Sequence, residues 1–212
     1  MTKGKVIKIA VDAMGGDYAP SETVEGVVVA AKSGDVEIGL VGDLGAVNAE
    51  LAKHDTKGLP ITVIPSEGVV LEDESPALAL RRKPKSSILV ATGLVKQGQA
   101  DATVTMGSTG AAMAAAAVIL GVIEGVERPA LGGPIVGLAP RTVVLDLGSN
   151  VDCRPAQMLS FAVIGHVLAR NLWGIESPRV ALLSVGMESG KGNKIVQETT
   201  PLLLKSGLNF VG

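Results

Sequence analysis

The sequence predicts an α/β fold built around a largely parallel sheet. Short apolar runs suited to strands alternate with helix-length segments along the chain. Hydrophobic residues make up 47% of the 212 residues but aromatic residues only 2%, so the core must consist of Val, Ile, Leu and Ala. That composition suits buried parallel strands covered by close-packed helices. The 27 glycines agree with many tight turns between strands and helices.

The first half of the chain alternates regularly between strands and helices. The apolar runs predict strands at 6–11, 36–41, 61–64 and 102–106. Helices are predicted at 20–32, 44–54, from 76 to about 82, and from 86 or 87 to 96. Pro20 and the pair Ser75-Pro76 favour helix starts, and Asp43 is a predicted N-cap. An alanine-rich apolar helix is predicted to follow the glycine turn at 107–110.

The second half continues the alternation after a turn-rich segment at 125–140, which we interpret as a lid or a hairpin. Strands are predicted at 142–147, 179–185 and 208–211, and helices at 155–172 and 193–205. We predict a single α/β domain over residues 1–212. Because the chain stops where a strand ends, we expect it to be the N-terminal part of a longer protein.

Charge and cysteine content narrow the class of protein. The formal net charge is −2 and no basic stripe with interleaved aromatics occurs, which argues against nucleic-acid binding. A single cysteine, Cys153, is compatible with a reducing cytosol. The N-terminal run is too short for a signal peptide, and the apolar run at 111–123 is too short to span a bilayer. We therefore expect a soluble cytoplasmic protein.

Polar clusters follow four of the predicted strands, at 12–17, 107–110, 146–152 and 186–193. The carboxyl ends of parallel strands meet at one edge of a sheet, where ligands usually bind. The turn at 107–110 opens a helix, so its N–H groups and the hydroxyls of Ser108 and Thr109 suit an anion. A plain strand-to-helix turn explains this motif equally well.

Familiar catalytic motifs are missing. There is no G-x-G-x-x-G, and the loop at 186–192 is one residue short of a P-loop and has no Ser or Thr after Lys191. His54 and His166 lie on predicted helices, which leaves no histidine triad and no zinc cluster. A lone cysteine such as Cys153 is more often inert than nucleophilic. We expect no metal, and a site that positions bound phosphate to attack a carbonyl.

An ordered series of motifs resembles the bacterial phosphate acyltransferase family. It opens with VDAMGGDYAP at 11–20 and VEG at 24–26. The further matches are PALALR at 76–81, SS at 86–87, GSTGA at 107–111, RPA at 128–130, LDLGSNVD at 145–152, FAV at 161–163, PRV at 178–180, KGN at 191–193 and NFVG at 209–212. The resemblance covers essentially the whole chain but lacks the C-terminal part of the family. Ser108 stands where the family commonly has an amide, and Met187 where it commonly has an acid.

The resemblance implies a fold and a reaction. The family fold is a Rossmann-like three-layer sandwich, related to phosphotransacetylases and to isocitrate and isopropylmalate dehydrogenases. Its enzymes transfer a fatty acyl group from acyl carrier protein to inorganic phosphate, giving acyl phosphate for phospholipid synthesis. It implies no metal or organic cofactor, a homodimer, and membrane contact through the absent C-terminal region. The alternatives are a phosphate acetyltransferase acting on short acyl-CoA and a truncated, non-catalytic module that binds carrier protein.

Site roles follow from the resemblance by position. It implies phosphate or oxyanion donors at Gly107, Ser108, Thr109 and Gly110. Lys191 and Asn193 would complement the phosphate charge, while Asp146, Asn150 and Asp152 would order the site. The floor of the site would be formed by Asp12, Gly15, Gly16 and Asp17. For each acid, a loop cap or turn former is an equally good interpretation.

The densest basic cluster is a candidate docking patch for an acidic carrier protein. It consists of Arg81, Arg82, Lys83 and Lys85. A solvated helix end that interacts favourably with the helix dipole is at least as good an interpretation.

Overall fold

The computed structural model describes residues 6–184 and 192–212. The chain divides into two compact units, Met1–Gly121 and Val122–Gly212. This division by packing does not test whether the chain folds as one domain, so the single domain over 1–212 stays a prediction. Among the described residues, no helix combines the length and apolarity needed to cross a membrane.

The first unit is built on a four-stranded parallel sheet. Its strands are β1 (Ile7–Asp12), β2 (Val36–Gly42), β3 (Ile61–Pro65) and β4 (Ala102–Val104), in the order β3-β2-β1-β4. Each neighbouring pair is parallel, as predicted. In this register Asp12 lies opposite Val41, and Val11 lies opposite Val104. The carboxyl ends of β1 and β4 are therefore side by side.

Among its described residues, the first unit has five α-helices. They are α1 (Ser21–Lys32), α2 (Leu44–Leu51), α3 (Pro76–Arg82), α4 (Ser87–Lys96) and α5 (Thr109–Ala115). Asp43 caps α2 as predicted, because its carboxylate accepts a hydrogen bond from the N–H of Ala46 at 2.8 Å. The alanine-rich helix changes from α to π geometry at Ala116–Leu120 and ends at Gly121, whose φ of 86° suits glycine.

Alternate residues of the strands face different helices, which gives the first unit three layers. Val11 and Leu40 belong to one apolar cluster with Val24 of α1. Ala10 and Val41 belong to another cluster with Ala91 of α4. Successive strand residues point to opposite faces of a sheet, so helices pack on both sides. The predicted α/β sandwich with a mostly parallel sheet is confirmed.

The described residues of the second unit form two helices and two short strand pairs. The helices are α6 (Pro155–Trp173) and α7 (Lys194–Lys205), which pack against each other. Strands β5 (Gly132–Gly133) and β6 (Val144–Leu145) are antiparallel, whereas β7 (Arg179–Val180) and β8 (Asn209–Phe210) are parallel. The side chain of Asn193 caps α7, and Gly174 ends α6 in the left-handed conformation.

The predicted strand at 142–147 differs from the structure. Only Val144 and Leu145 are in a strand, and their described pairing is antiparallel to Gly132 and Gly133. Gly132 has a φ of 156°, and a Cβ there would lie 2.0 Å from the carbonyl oxygen of Val144. A glycine therefore allows the close backbone approach that forms a hairpin, the second of the two interpretations of the turn-rich segment.

Candidate functional site

A buried carboxylate joins two of the predicted polar clusters in the first unit. Asp12, at the end of β1, is 2% exposed. Its Oδ1 accepts hydrogen bonds from the N–H groups of Met14 and Gly15, both at 3.1 Å. Its Oδ2 accepts one from the Thr105 hydroxyl at 2.8 Å, and Thr105 Oγ1 in turn accepts from the N–H of Gly107 at 3.0 Å. Asp12 therefore fixes both the turn after β1 and the turn after β4.

Two glycines make this contact between the turns possible. A Cβ on Gly15 would lie 2.7 Å from Asp12 Oδ2 and 2.8 Å from both Gly107 N and Thr105 Oγ1. A Cβ on Gly107 would lie 2.9 Å from the Cα of Gly15. Gly16 has a φ of 110°, which also favours glycine. These glycines allow the two turns to approach closely, while Asp17 beside them is exposed, and their role as the floor of a site stays a prediction.

The turn at 107–110 presents free donors at the start of α5. The N–H of Gly107 is already donated to Thr105, so it is not available to an anion. Ser108 caps the helix, its Oγ accepting from the N–H of Ala111 at 3.3 Å. Within the described residues, no hydrogen bond engages the N–H groups of Ser108, Thr109 or Gly110. The geometry therefore suits anion binding at 108–110, with Gly107 acting through backbone approach.

In the second unit, Asp146 is the centre of a separate hydrogen-bond network. Its Oδ1 accepts from Asn150 Nδ2 at 2.9 Å and from the Ser149 hydroxyl at 3.3 Å. Its Oδ2 accepts from the Cys153 thiol at 3.0 Å. Asn150 Nδ2 also donates to the carbonyl of Pro129 at 3.3 Å. Asp146 has a φ of 65°, uncommon for a non-glycine residue, and the network holds it there.

The network changes the acidity of two of its members. Burial tends to raise the pKa of Asp146, but hydrogen bonds from Asn150, Cys153 and Ser149 outweigh it and keep this pKa below its ordinary value. Burial and the adjacent carboxylate raise the pKa of the Cys153 thiol to about 11. The thiol is therefore neutral near pH 7, which agrees with the interpretation of Cys153 as inert.

For the remaining predicted site residues, Asp152, Lys191 and Asn193, the structure gives little evidence of a role in a site. Asp152 is exposed. Asn193 uses its Oδ1 to accept from the N–H of Val196 at 3.1 Å, which is a cap of α7. Lys191 lies outside the described residues. The convergence of all four predicted clusters on one edge therefore stays a prediction.

The predicted docking patch is partly neutralised. Lys83 Nζ lies 2.6 Å from Glu74 Oε2 and 2.8 Å from the carbonyl oxygen of Val69. Lys85 Nζ lies 2.8 Å from Glu67 Oε1. Arg81 and Arg82 are exposed. The charge that this cluster offers to an acidic partner therefore comes mainly from the two arginines.

No metal site is found in the part of the chain that the structure describes, where three or more His, Cys, Asp or Glu residues never group around a common point. Sequence reasoning missed Thr105, Ser149 and Cys153 as members of the two networks. Thr105 and Asp12 are 93 positions apart, and the register of β1 against β4 brings them together. The sequence offers only a weak signal for Thr105, namely that a threonine lies near the carboxyl end of a predicted strand.

The fold is similar to that of two phosphotransacetylases of known structure. A phosphotransacetylase from Streptococcus pyogenes matches 99% of this chain and 68% of its own, with a TM-score of 0.68 and 20% identity. The match to the EutD phosphotransacetylase from Staphylococcus aureus covers 98% of this chain and 68% of that protein's chain, with a TM-score of 0.61 and 20% identity. At this identity the likeness shows the fold alone.

The chain belongs to the fatty acid synthesis protein family, whose family model matches residues 7–212. Relatives named phosphate acyltransferase are 48% identical in Pelotomaculum thermopropionicum over 206 residues and 48% identical in Synechocystis sp. over 208 residues. A third, from Geobacter sulfurreducens, is 45% identical over 206 residues. These alignments cover 97% of this chain and 60% of each relative, so the chain spans about 60% of their length. The predicted resemblance is confirmed.

Proposed function

We propose that this chain takes part in transferring a fatty acyl group from acyl carrier protein to inorganic phosphate, giving acyl phosphate for phospholipid synthesis. The observation that carries the proposal is the family match over residues 7–212, together with relatives named phosphate acyltransferase. The free donors at the start of α5 support it, because phosphate and a developing oxyanion both need such donors.

The proposed reaction needs no nucleophile from the protein. A phosphate oxygen attacks the thioester carbonyl carbon, and a tetrahedral oxyanion forms. The carbon–sulfur bond then breaks, and the thiolate leaves and takes up a proton. The N–H groups at 108–110 and the Thr109 hydroxyl would hold the phosphate or the oxyanion, while Asp12 fixes the turn that carries them.

The other predicted residues take supporting roles in this proposal. Lys191 and Asn193 would complement the phosphate charge. Asp146 and Asn150 would order the site through their hydrogen-bond network, with Asp152 beside it. Gly15, Gly16 and Asp17 would shape the floor next to Asp12. No cofactor has a part in the mechanism.

A phosphate acetyltransferase acting on short acyl-CoA is the second candidate, because the donors at 108–110 suit phosphate whichever thioester supplies the acyl group. Chain-length preference separates the two functions. Long-chain acyl carrier protein thioesters as the better substrates support the first, and acetyl-CoA as the better substrate supports the second.

The direct test follows acyl phosphate formation from acyl carrier protein thioester and inorganic phosphate, with thioester loss measured in parallel. Thr109→Val should weaken phosphate use, because it removes a hydroxyl and leaves an apolar group at the anion position. Thr62→Val, at an exposed position on β3, is the matched control and should leave the rate unchanged. If the chain binds carrier protein but forms no acyl phosphate, the non-catalytic binding module is favoured. If Thr109→Val keeps both phosphate binding and turnover, this turn has no part in the mechanism.

The assembly and location of the working protein are part of the same proposal. We expect a homodimer in the cytoplasm with peripheral contact to the membrane, and docking of the acidic carrier protein near Arg81 and Arg82. Light scattering measures the dimer, and co-sedimentation with anionic vesicles measures the membrane contact. Reversing the charge of both arginines should weaken carrier-protein binding, whereas the same change at Lys57, exposed in a loop, should not.

A further inference from the structure

Three buried serine hydroxyls near the carboxyl edge of the first sheet have no hydrogen-bond partner. Ser86 and Ser87 are fully buried and Ser66 is 8% exposed. Among the described residues, none pairs with the Oγ atom of any of the three. An unpaired buried hydroxyl costs free energy, and native proteins leave few of them. Three in one neighbourhood indicate a missing polar partner.

The three serines lie on two segments that run side by side. Ser66 follows β3, and its N–H donates to the carbonyl of Gly42 at 2.9 Å, which places it at the carboxyl edge of the sheet. The N–H of Glu67 donates to the carbonyl of Lys85 at 2.8 Å, and the N–H of Ser87 donates to that of Gly68 at 3.3 Å. These two backbone bonds bring 66–68 against 85–87.

The second segment is the start of α4, a ten-residue helix that packs on the sheet. Ser86 is its N-cap, with φ −62° and ψ 151°. A serine at this position normally accepts a hydrogen bond from the N–H two or three residues later, but in this helix it does not. The N–H groups of Ile88 and Leu89 are therefore left uncapped, at the end of the helix that carries partial positive charge.

We infer that Ser66, Ser86 and Ser87, together with the N-terminus of α4, form a binding subsite for a tetrahedral oxyanion of the phosphate class. A helix N-terminus with hydroxyl donors favours an anion and disfavours a cation. The nearest acid on these segments, Glu67, is already paired with Lys85. Its donors lie on other segments than the turn at 108–110, and the observations behind it do not rest on the proposed function.

Because the three hydroxyls are buried, an anion can reach them only when the segments 66–68 and 85–87 move apart. The hydrogen bond from the Ser87 N–H to the Gly68 carbonyl is 3.3 Å long, whereas the bond from the Glu67 N–H to the Lys85 carbonyl is 2.8 Å long. The longer bond is the weaker of the two links between the segments. Breaking it frees one more N–H donor. A serine hydroxyl can then turn among its staggered rotamers without moving the backbone.

Backbone amide chemical shifts of the ¹⁵N-labelled chain test the subsite directly. Added inorganic phosphate should shift the amide resonances of Ile88 and Leu89, and the shift should saturate as the phosphate concentration rises. The double variant Ser86→Ala with Ser87→Ala should bind phosphate about tenfold more weakly or worse, because hydrogen bonds to charged groups are stronger than those between neutral groups. Ser33→Ala, at an exposed helix end, is the matched control and should bind normally. Amides that show no saturable shift, or a double variant that binds as tightly as the parent, would overturn the inference.

Thermal unfolding without phosphate adds a second readout. Because neither hydroxyl has a partner, the double alanine variant should be as stable as the parent or more stable, even though Ser86 is an N-cap. It should also lose the part of the phosphate-induced stabilisation that comes from this subsite. A marked loss of stability without phosphate would mean that the hydroxyls are already satisfied, which contradicts the inference.

The source of the phosphate group is decided by comparing inorganic phosphate with a phosphate monoester such as methyl phosphate. Shifts caused by inorganic phosphate assign the subsite to a free phosphate anion, and shifts caused by the ester alone assign it to a terminal phosphate group of a larger molecule. In the Thr109→Val variant the Ile88 and Leu89 shifts should persist. The two sites can therefore fail independently.

Discussion

At the residue scale, Thr105 connects the two turns of the first unit. Its single hydroxyl hydrogen goes to Asp12, and its oxygen accepts the N–H of Gly107. The hydroxyl can make both bonds at once because the carboxylate can only accept a hydrogen bond and the backbone amide can only donate one. The conformation of the turn that offers donors at 108–110 therefore depends on a side chain outside it.

Replacing Thr105 with valine should destabilise the chain by about 1–3 kcal/mol, because a buried carboxylate loses a donor and a backbone amide loses its acceptor. Thr103→Val, two residues earlier on β4, is the matched control. The Thr103 Oγ1 is buried and has no partner among the described residues, so this change should be neutral or stabilising. Unfolding in urea, followed by circular dichroism, measures both. Equal effects of the two changes would contradict the role given to Thr105.

Cys153 should react slowly with iodoacetamide. Its pKa of about 11, against an ordinary value of 9.0, lowers the thiolate fraction at neutral pH by about 100-fold. The reactive thiolate should appear as the pH rises toward 11. Asp146→Asn removes the adjacent negative charge and should therefore speed the reaction near pH 8. Alkylation rates measured by mass spectrometry across pH test this, and a rate in the parent equal to that of free cysteine would contradict it.

At the scale of elements, strand ends and helix starts supply the polar groups of the first unit. β1 and β4 end beside each other, and α4 and α5 begin after β3 and β4 in the chain. In a parallel sheet every connecting helix must run back toward the amino edge, so its N-terminus starts near the carboxyl edge. In the first unit this topology therefore places helix N-termini and strand-end side chains near the same edge of the sheet.

The β5–β6 hairpin of the second unit depends on one glycine. Gly132→Ala should disrupt it, because the added Cβ would lie 2.0 Å from the Val144 carbonyl oxygen. Gly133→Ala on the same strand is the matched control, since its Cβ meets nothing within 4 Å and its φ is not in the left-handed range. Hydrogen exchange at residues 144–147 should accelerate in the first variant. Unchanged exchange there would show that the hairpin does not need Gly132.

At the scale of the whole molecule, the buried apolar clusters of the described residues lie in the first unit. In the second unit the buried side chains are fewer, among them Phe161, Ala169 and Leu203. Hydrophobic burial is the main source of stability, so the two units should differ in their resistance to denaturant.

Urea should therefore unfold the second unit first. Trp173, the single tryptophan of the chain, lies in α6 and reports that unit by fluorescence. Its transition should fall at lower urea than the far-ultraviolet circular dichroism change that includes the first unit. Coincident transitions would instead support one cooperative domain over residues 1–212.

Local signals in the sequence determined much of this protein. The alternation of apolar runs and the cap at Asp43 predicted the parallel sheet and most helices, because strand burial and helix capping act over a few residues. The motif series predicted the family, which the comparisons confirmed, while the anion site predicted from the glycine turn at 107–110 stays a prediction. Both rest on residues adjacent in the chain.

Only the tertiary structure decided which residues meet across the chain. The pairing of Asp12 with Thr105 and the burial of Ser66 beside Ser86 follow from strand register and helix packing. So does the hairpin that replaces the strand expected at 142–147. A hydrogen bond depends on distances within a few tenths of an ångström, and those are set by the packing of segments far apart in sequence.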